Sequence, residues 1–182
     1  SEGLSMMCLS FSYGVTATYV AIYGKETLNI SGGSALFFML LSLGLILSRL
    51  VGSRTLRQGK ITQNASVGIL ISLCGYLMFA LLQNPIGYYC SAFIVGLGNG
   101  HMWPAYQTMF LNLAPHTQRG TANSSILISW DIGVGLGTLI GGAIAEHCGY
   151  QQAFIASALV NLIGIIIFFG YPKNDFLKNK LR

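Results

Sequence analysis

Charge is what this 182-residue sequence has least of: 8% of its residues are Asp, Glu, Lys or Arg, and only five are acidic. A soluble domain carries roughly 25% charged residues, so these side chains cannot coat a water-exposed surface. That excludes an ordinary soluble fold. Cysteine is sparse as well. Cys8, Cys74, Cys90 and Cys148 show no CxxC spacing and fall in or near apolar runs, which excludes a disulfide scaffold or a zinc site and reads as buried, unreactive thiols. The sequence has no HExxH, no paired aspartates and no Ser/His pair at useful spacing, so it is not read as an enzyme and no metal or cofactor is expected. No stretch between apolar runs is long enough for a soluble domain. Residues 4–23 lack the basic start and small-residue cleavage site of a signal peptide and read as a span. The first residue is Ser1, and the native start is expected to lie further upstream, as in a piece of a longer protein.

What is present is apolar length. Hydrophobic residues make up 53% of the chain, with a mean hydropathy of +0.61. A bilayer core takes about 20 apolar residues per helix, and six segments qualify: residues 3–23, 32–50, 61–82, 86–113, 120–146 and 151–171, followed by a tail over 172–182. The expected fold class is an all-α integral membrane protein. The 23 glycines suit it, because glycine lets membrane helices approach closely. Arg49, Arg54, Arg57, Lys60, Arg119, Lys173, Lys178, Lys180 and Arg182 fall on one side of this arrangement, and Lys25 alone on the other. Positive residues stay cytoplasmic, which places both termini inside a plasma (bacterial inner) membrane. The net charge of +5 then reports topology and not nucleic-acid binding, with mild attraction of the tail to anionic lipid.

Four stretches stand out within this frame. "GSRTLRQGK", from Gly52, joins the second and third spans; its glycines permit a tight turn and its cations can bond helix C-terminal carbonyls. In "RGTANSSILISWDIGVGLGTLIGGAIAEH", which begins at Arg119, the residues Gly133, Gly137, Gly141 and Ala145 recur every fourth position as a close-packing stripe. Thr121 follows at the helix start, where its hydroxyl can satisfy free amides. Asp131 points away from the stripe and lies roughly 18 Å into the span at about 1.5 Å per residue. An aspartate at that depth costs about 2.5–3.5 kcal/mol on insertion scales, so it is a candidate for proton coupling, for meeting a cationic substrate, or for a protonated or hydrogen-bonded tie between helices. Ser124 and Thr138 share its face.

"GLGNGHMWPAYQTMF" interrupts the fourth span with Gly96, Gly98, Gly100 and Pro104, where a kink or hinge is expected. No strand precedes its GxGxG, so a dinucleotide loop is excluded. Asn99, Trp103 and Tyr106 share a face there with Gln107 beside them, and His101 is a second titratable group. One histidine without partners does not make a metal site. In the first span, Tyr13, Thr16 and Tyr19 are candidates to line a cavity or to act as helix-packing glue, and Tyr23 is placed in the interfacial aromatic belt.

The loop carrying Gly52, Arg57, Gly59 and Lys60 resembles the signature of the major facilitator superfamily, G-x-x-x-D-R-x-G-R/K, with Leu56 where the aspartate belongs. The Arg119-Gly120 opening of the fifth span and the Gly149-Tyr150 at its outer end are similar to the same family. The chain looks like the C-terminal six-helix half of such a transporter, closest to drug and sugar efflux permeases. The resemblance implies two inverted three-helix repeats, a cavity lined by the first and fourth spans, the third and sixth spans outside, and a missing N-terminal half as partner. It implies alternating access, with proton-coupled export of a small organic molecule as the working reading. Asp131 and His101 would titrate, Tyr13, Thr16, Tyr19, Asn99, Trp103, Tyr106 and Gln107 would line the cavity, the basic loop and Arg119 would gate, and Gly98, Gly100 and Pro104 would hinge. An importer or facilitator of the same fold and a non-transporting scaffold or subunit are the alternatives. The polar clusters of spans one and four speak against a scaffold.

Overall fold

A computed structural model describes residues 2–181; Arg182, counted in the basic tail, and Ser1 lie outside the described residues. The chain forms helices α1 (Glu2–Glu26), α2 (Gly33–Arg57), α3 (Ile61–Leu81), α4 (Pro85–Leu113), α5 (Arg119–Cys148), α6 (Tyr150–Gly170) and α7 (Pro172–Asn179), with a 3-10 turn over His116–Gln118 before α5. Among the described residues there is no strand. Five stretches are long and apolar enough to cross a membrane: Glu2–Glu26, Gly33–Arg57, Ile61–Leu81, His116–Cys148 and Tyr150–Asn179. Five such helices in one chain are the architecture of a multi-pass membrane protein. The fourth expected span falls short on composition and not on length. α4 has 29 residues, about 44 Å at 1.5 Å each, but Asn99, His101, Gln107 and four glycines dilute its apolar content.

Helix ends follow local chemistry. Asn84 caps α4 by accepting the Gly87 amide at 2.6 Å, with Pro85 at the first helical position. Gly59 ends the α2 turn at φ 75°, a left-handed conformation that glycine adopts without steric cost. Its amide bonds the Leu56 carbonyl at 3.0 Å while the Lys60 amide reaches that of Thr55 at 3.1 Å. The expected gating loop is therefore mostly helix: α2 runs past residue 50 to Arg57 and carries Gly52 with it. α5 begins at Arg119 without a side-chain cap, and the Thr121 carbonyl instead accepts from Ser125 Oγ. The tail is also more ordered than a loose extension. Phe176 of α7 is buried, and the Leu181 amide donates to the Asn112 carbonyl at 2.9 Å.

α1 packs along α5 and α6, α4 packs along α2 and α3, and α3 and α6 pack on each other. Glycines make the two long seams. A Cβ at Gly133 or Gly137 would strike the backbone of Met7 or Phe11 on α1, and one at Gly14 would strike Val134 on α5. Across the bundle, a Cβ at Gly96 would strike Leu41 and one at Gly44 would strike Phe93. The helices touch at their backbones, which maximises dispersion where apolar solvent gives no hydrophobic drive.

The core has two apolar clusters. At one end Tyr23, Phe37, Phe79, Tyr88 and Phe154 are buried together, with Phe79 and Phe154 ring centroids 4.6 Å apart. Tyr23 is only 1% exposed, so it is a core residue and not part of an interfacial belt: its ring fills the gap where α1, α3, α4 and α6 meet. At the basic end Met6, Ile69, Met102, Tyr106 and Phe168 form the second cluster. The outer faces of α2, α5 and α6 expose Met39, Ile46, Leu50, Leu139 and Ile166, a surface suited to hydrocarbon. The cysteines follow that surface: Cys74, Cys90 and Cys148 are exposed and Cys8 half-buried, so their apolar setting is the outside of the bundle and not its core.

Candidate functional site

On one face α1, α2, α4 and α5 diverge around an open cleft of about 260 Å³. Tyr13 of α1, Asn99 and Trp103 of α4, and Trp130 of α5 line one side, and Leu41, Leu45 and Arg49 of α2 the other. The aromatic wall is continuous. Trp103 and Trp130 meet edge-on with centroids 5.0 Å apart, and Tyr13 lies 5.4 Å from Trp130. Asn99 is held from behind, where Ser72 Oγ of α3 donates to its Oδ1 at 2.8 Å.

The sequence expectation thus divides. Tyr13, Asn99 and Trp103 come together in the cleft. Tyr106 does not: the start of α1 and α6 close over α4 at its level, leaving it 0% exposed, with its hydroxyl 2.7 Å from Ser5 Oγ. Thr16 is buried between helices. Tyr19 donates to the Thr138 carbonyl at 2.7 Å and ties α1 to α5. Gln107 Nε2 reaches Asn123 Oδ1 at 3.2 Å and ties α4 to α5.

His101 lies on another side of α4, against Gly52 and Asn64, with Nδ1 2.9 Å from the Leu97 carbonyl. Asp131 is exposed on α5, one residue beyond Trp130, about 100° around the helix from the cleft wall. Of the polar residues expected on its face, Ser124 is exposed too, while Thr138 turns to α1 and meets Thr18 at 3.0 Å. The hinge residues sit in an unbroken helix. Gly98 is pressed against Ser72 and Gly100 against Ser48, so both serve close packing, and Thr108 Oγ1 bonds the Pro104 carbonyl at 2.7 Å.

Four lining residues, Leu41, Leu45, Arg49 and Trp130, lie outside the cavity set expected from sequence. Arg49 was counted with the loop because the span was ended at residue 50; it repeats at spacing four with Leu41 and Leu45, which is the signal that one helix face carries all three. Trp130 was passed over for its neighbour Asp131.

A profile described as Major Facilitator Superfamily matches residues 3–138 and again 91–180. The chain belongs to the major facilitator superfamily. Within that family it is similar to the multidrug resistance protein MdtG of Erwinia billingiae (strain Eb661), 30% identical over 98 residues that are 54% of this chain and 24% of that protein. It is also similar to an uncharacterized MFS-type transporter of Burkholderia mallei (strain SAVP1), 25% identical over 168 residues, or 91% of this chain and 40% of the other. Among solved structures, the peptide transporter POT in complex with sulfate superposes with a TM-score of 0.83 at 16% identity, covering all of this chain and 39% of that one. The POT family transporter PepTSo gives 0.76 at 16% identity, over 92% of this chain and 36% of that one. The chain therefore spans two-fifths or less of the length of these major facilitator relatives.

The family's signature loop acquires a physical reading here. Gly52 gives room to His101 and Asn64. Asn64 Nδ2 donates to the His101 carbonyl at 3.3 Å, and Thr55 Oγ1 meets Asn64 Oδ1 at 3.0 Å, fastening the end of α2 to α3 and α4. Leu56, in the aspartate position, packs on the apolar cluster at the basic end. Arg57 and Lys60 are exposed, and Arg119 is half-buried.

Proposed function

We propose that this chain forms half of a secondary transporter that moves a small organic molecule across the membrane by alternating access. The observation that carries the reading is the convergence of Tyr13, Asn99, Trp103 and Trp130 on one cleft, while the remaining outer faces are apolar. The six long helices are the six spans, α4 included, its polar residues facing neighbours and cleft. Two inverted three-helix repeats are supported by the packing: α1 runs along α5 and α6 as α4 runs along α2 and α3, which is the pattern a two-fold axis exchanging α1–α3 with α4–α6 produces. The uncovered face bearing the cleft is where a companion six-helix half docks, and the two rock about the site.

Export is the favoured direction, supported by the resistance named for the MdtG relative. The basic residues place both ends in the cytoplasm of a plasma (bacterial inner) membrane. Asp131 is the proton carrier in this reading, since it is exposed on α5 one residue beyond Trp130 of the cleft.

The test is expression of the full-length protein in a strain stripped of its own efflux pumps and grown on a panel of toxic compounds. A compound against which it protects, radiolabelled, should show counterflow in proteoliposomes, and Trp103→Ala should abolish it. If none of the protecting compounds shows counterflow, the chain is a scaffold or subunit and the transport reading fails.

A further inference from the structure

Among the described residues, Arg49 is the one charged side chain that lines the aromatic cleft. It stands eight residues before Arg57, the last residue of α2, which sets it about 12 Å deeper along the helix. Its neighbours Leu50 and Val51 are 65% and 64% exposed on the apolar outer face. Arg54, Arg57 and Lys60 already supply the basic end of α2, so topology needs no further cation at this depth. Arg49 is itself exposed and makes no hydrogen bond or ion pair with another described residue. It also borders the smaller recess floored by Gly100 and Pro104 of α4.

The other polar groups of the cleft offer more donors than acceptors. Asn99 Oδ1 already accepts from the Ser72 hydroxyl, which leaves two Nδ2 hydrogens and one oxygen lone pair on the amide. Trp103 and Trp130 carry indole N–H groups, which donate and never accept, and a guanidinium carries donors alone. Tyr13 contributes a hydroxyl that can serve either way. No carboxylate lines the cleft. Asp131, the nearest acidic residue in sequence, points away along α5. A cationic ligand here would meet a like charge without a counter-ion, and in low dielectric that repulsion is strong. A carboxylate, phosphonate or sulfonate would instead meet a planar fork whose geometry it matches.

We propose that the cleft takes organic anions, with the acid group on the Arg49 guanidinium and a flat apolar body between Trp103, Trp130 and the Leu41–Leu45 wall. This deepens the transport reading and rests on it for the claim that the ligand is cargo; the binding itself is separable.

Both tryptophans of this sequence line the cleft, so their fluorescence responds to its occupancy. The full chain in lipid nanodiscs is titrated with 4-nitrobenzoate, its neutral amide 4-nitrobenzamide and the cation 4-nitrobenzylammonium, all quenchers of indole. Saturable quenching by 4-nitrobenzoate is expected. Arg49→Gln should weaken it at least about tenfold, as loss of a charge-assisted contact implies, and Arg49→Lys should restore part of the affinity. The amide should bind more weakly and be indifferent to both variants. Equal binding of the amide or the ammonium ion overturns the proposal, with counterflow still free to support transport. So does unchanged 4-nitrobenzoate binding in Arg49→Gln, including the case where that variant only loses thermal stability because Arg49 holds a carboxylate of a companion half. Absence of saturable quenching by any probe overturns it too, and counterflow then decides the transport reading separately.

Discussion

Asp131 and Arg49 are charges well inside the long helices that make no hydrogen bond or ion pair with another described residue, and their settings differ in a testable way. Arg49 lines the cleft, whereas Asp131 is exposed on α5 and does not line it. A carboxylate left bare in hydrocarbon costs a few kcal/mol, so its retention points to water access or to a partner outside the chain. If it carries the proton, Asp131→Asn in the full-length protein keeps the hydrogen-bonding shape and removes the titration. Uptake driven by a pH gradient into inverted vesicles should then disappear while expression and counterflow persist. Normal pH-driven uptake would make Asp131 a structural tie between halves. What could be read from single residues beforehand was chemistry and not direction. Asn99 and Trp103 were found because polar and aromatic residues at spacing four share a face. Tyr106 lies on nearly the same face two turns on, but is sealed by Ser5 and Phe168, and periodicity carries no record of where neighbouring helices close.

At the scale of elements, the small residues decide how near the helices come. The sequence showed the Gly133–Gly137–Gly141 stripe, and the structure sets it against Met7, Phe11 and Val15 of α1. It also showed the glycines of α4, yet as a hinge; their repeat of two obscured that Gly96 and Gly100 face α2 while Gly98 faces α3. The same side chain absence can serve a bend or a seam, and only the partner helix distinguishes them. Two glycines of α5 make the contrast measurable. A side chain at Gly137 would enter the backbone of Phe11, whereas nothing lies within 4 Å of a Cβ at Gly135. Gly137→Leu should destabilise the protein by about 1–3 kcal/mol, the usual cost of forcing atoms into a packed site, and Gly135→Leu by less than about 0.5 kcal/mol. Thermal unfolding in detergent, read by loss of helical circular dichroism, measures both. Equal effects would show that α1 and α5 are not held by this seam.

Over the whole molecule, the long helices were legible because bilayer thickness sets a length for apolar runs, with α4 too polar to qualify by composition, and the turns between them because glycine, proline and Asn84 stop helices in recognisable ways. Helix ends at the basic side were not, since "GSRTLR" is polar enough to read as loop yet continues α2 to Arg57. The orientation drawn from the basic residues remains a prediction at this scale, and the native thiols supply a probe for it. Cys148 is exposed at the end of α5, the side opposite Arg119 and the helix α7 that carries Lys173 and Lys178. If both ends of the chain are cytoplasmic, a membrane-impermeant maleimide added to intact cells should label Cys148 from outside. A cysteine placed by Lys178→Cys should react only after the cells are opened. Cys148→Ser serves as the background, since it retains the exposed thiols of Cys74 and Cys90 and the half-buried Cys8. Labelling of the Lys178→Cys protein in sealed cells, with Cys148 protected, would invert the topology, move the Arg49 end of the cleft to the external side, and make import the direction that the same geometry supports.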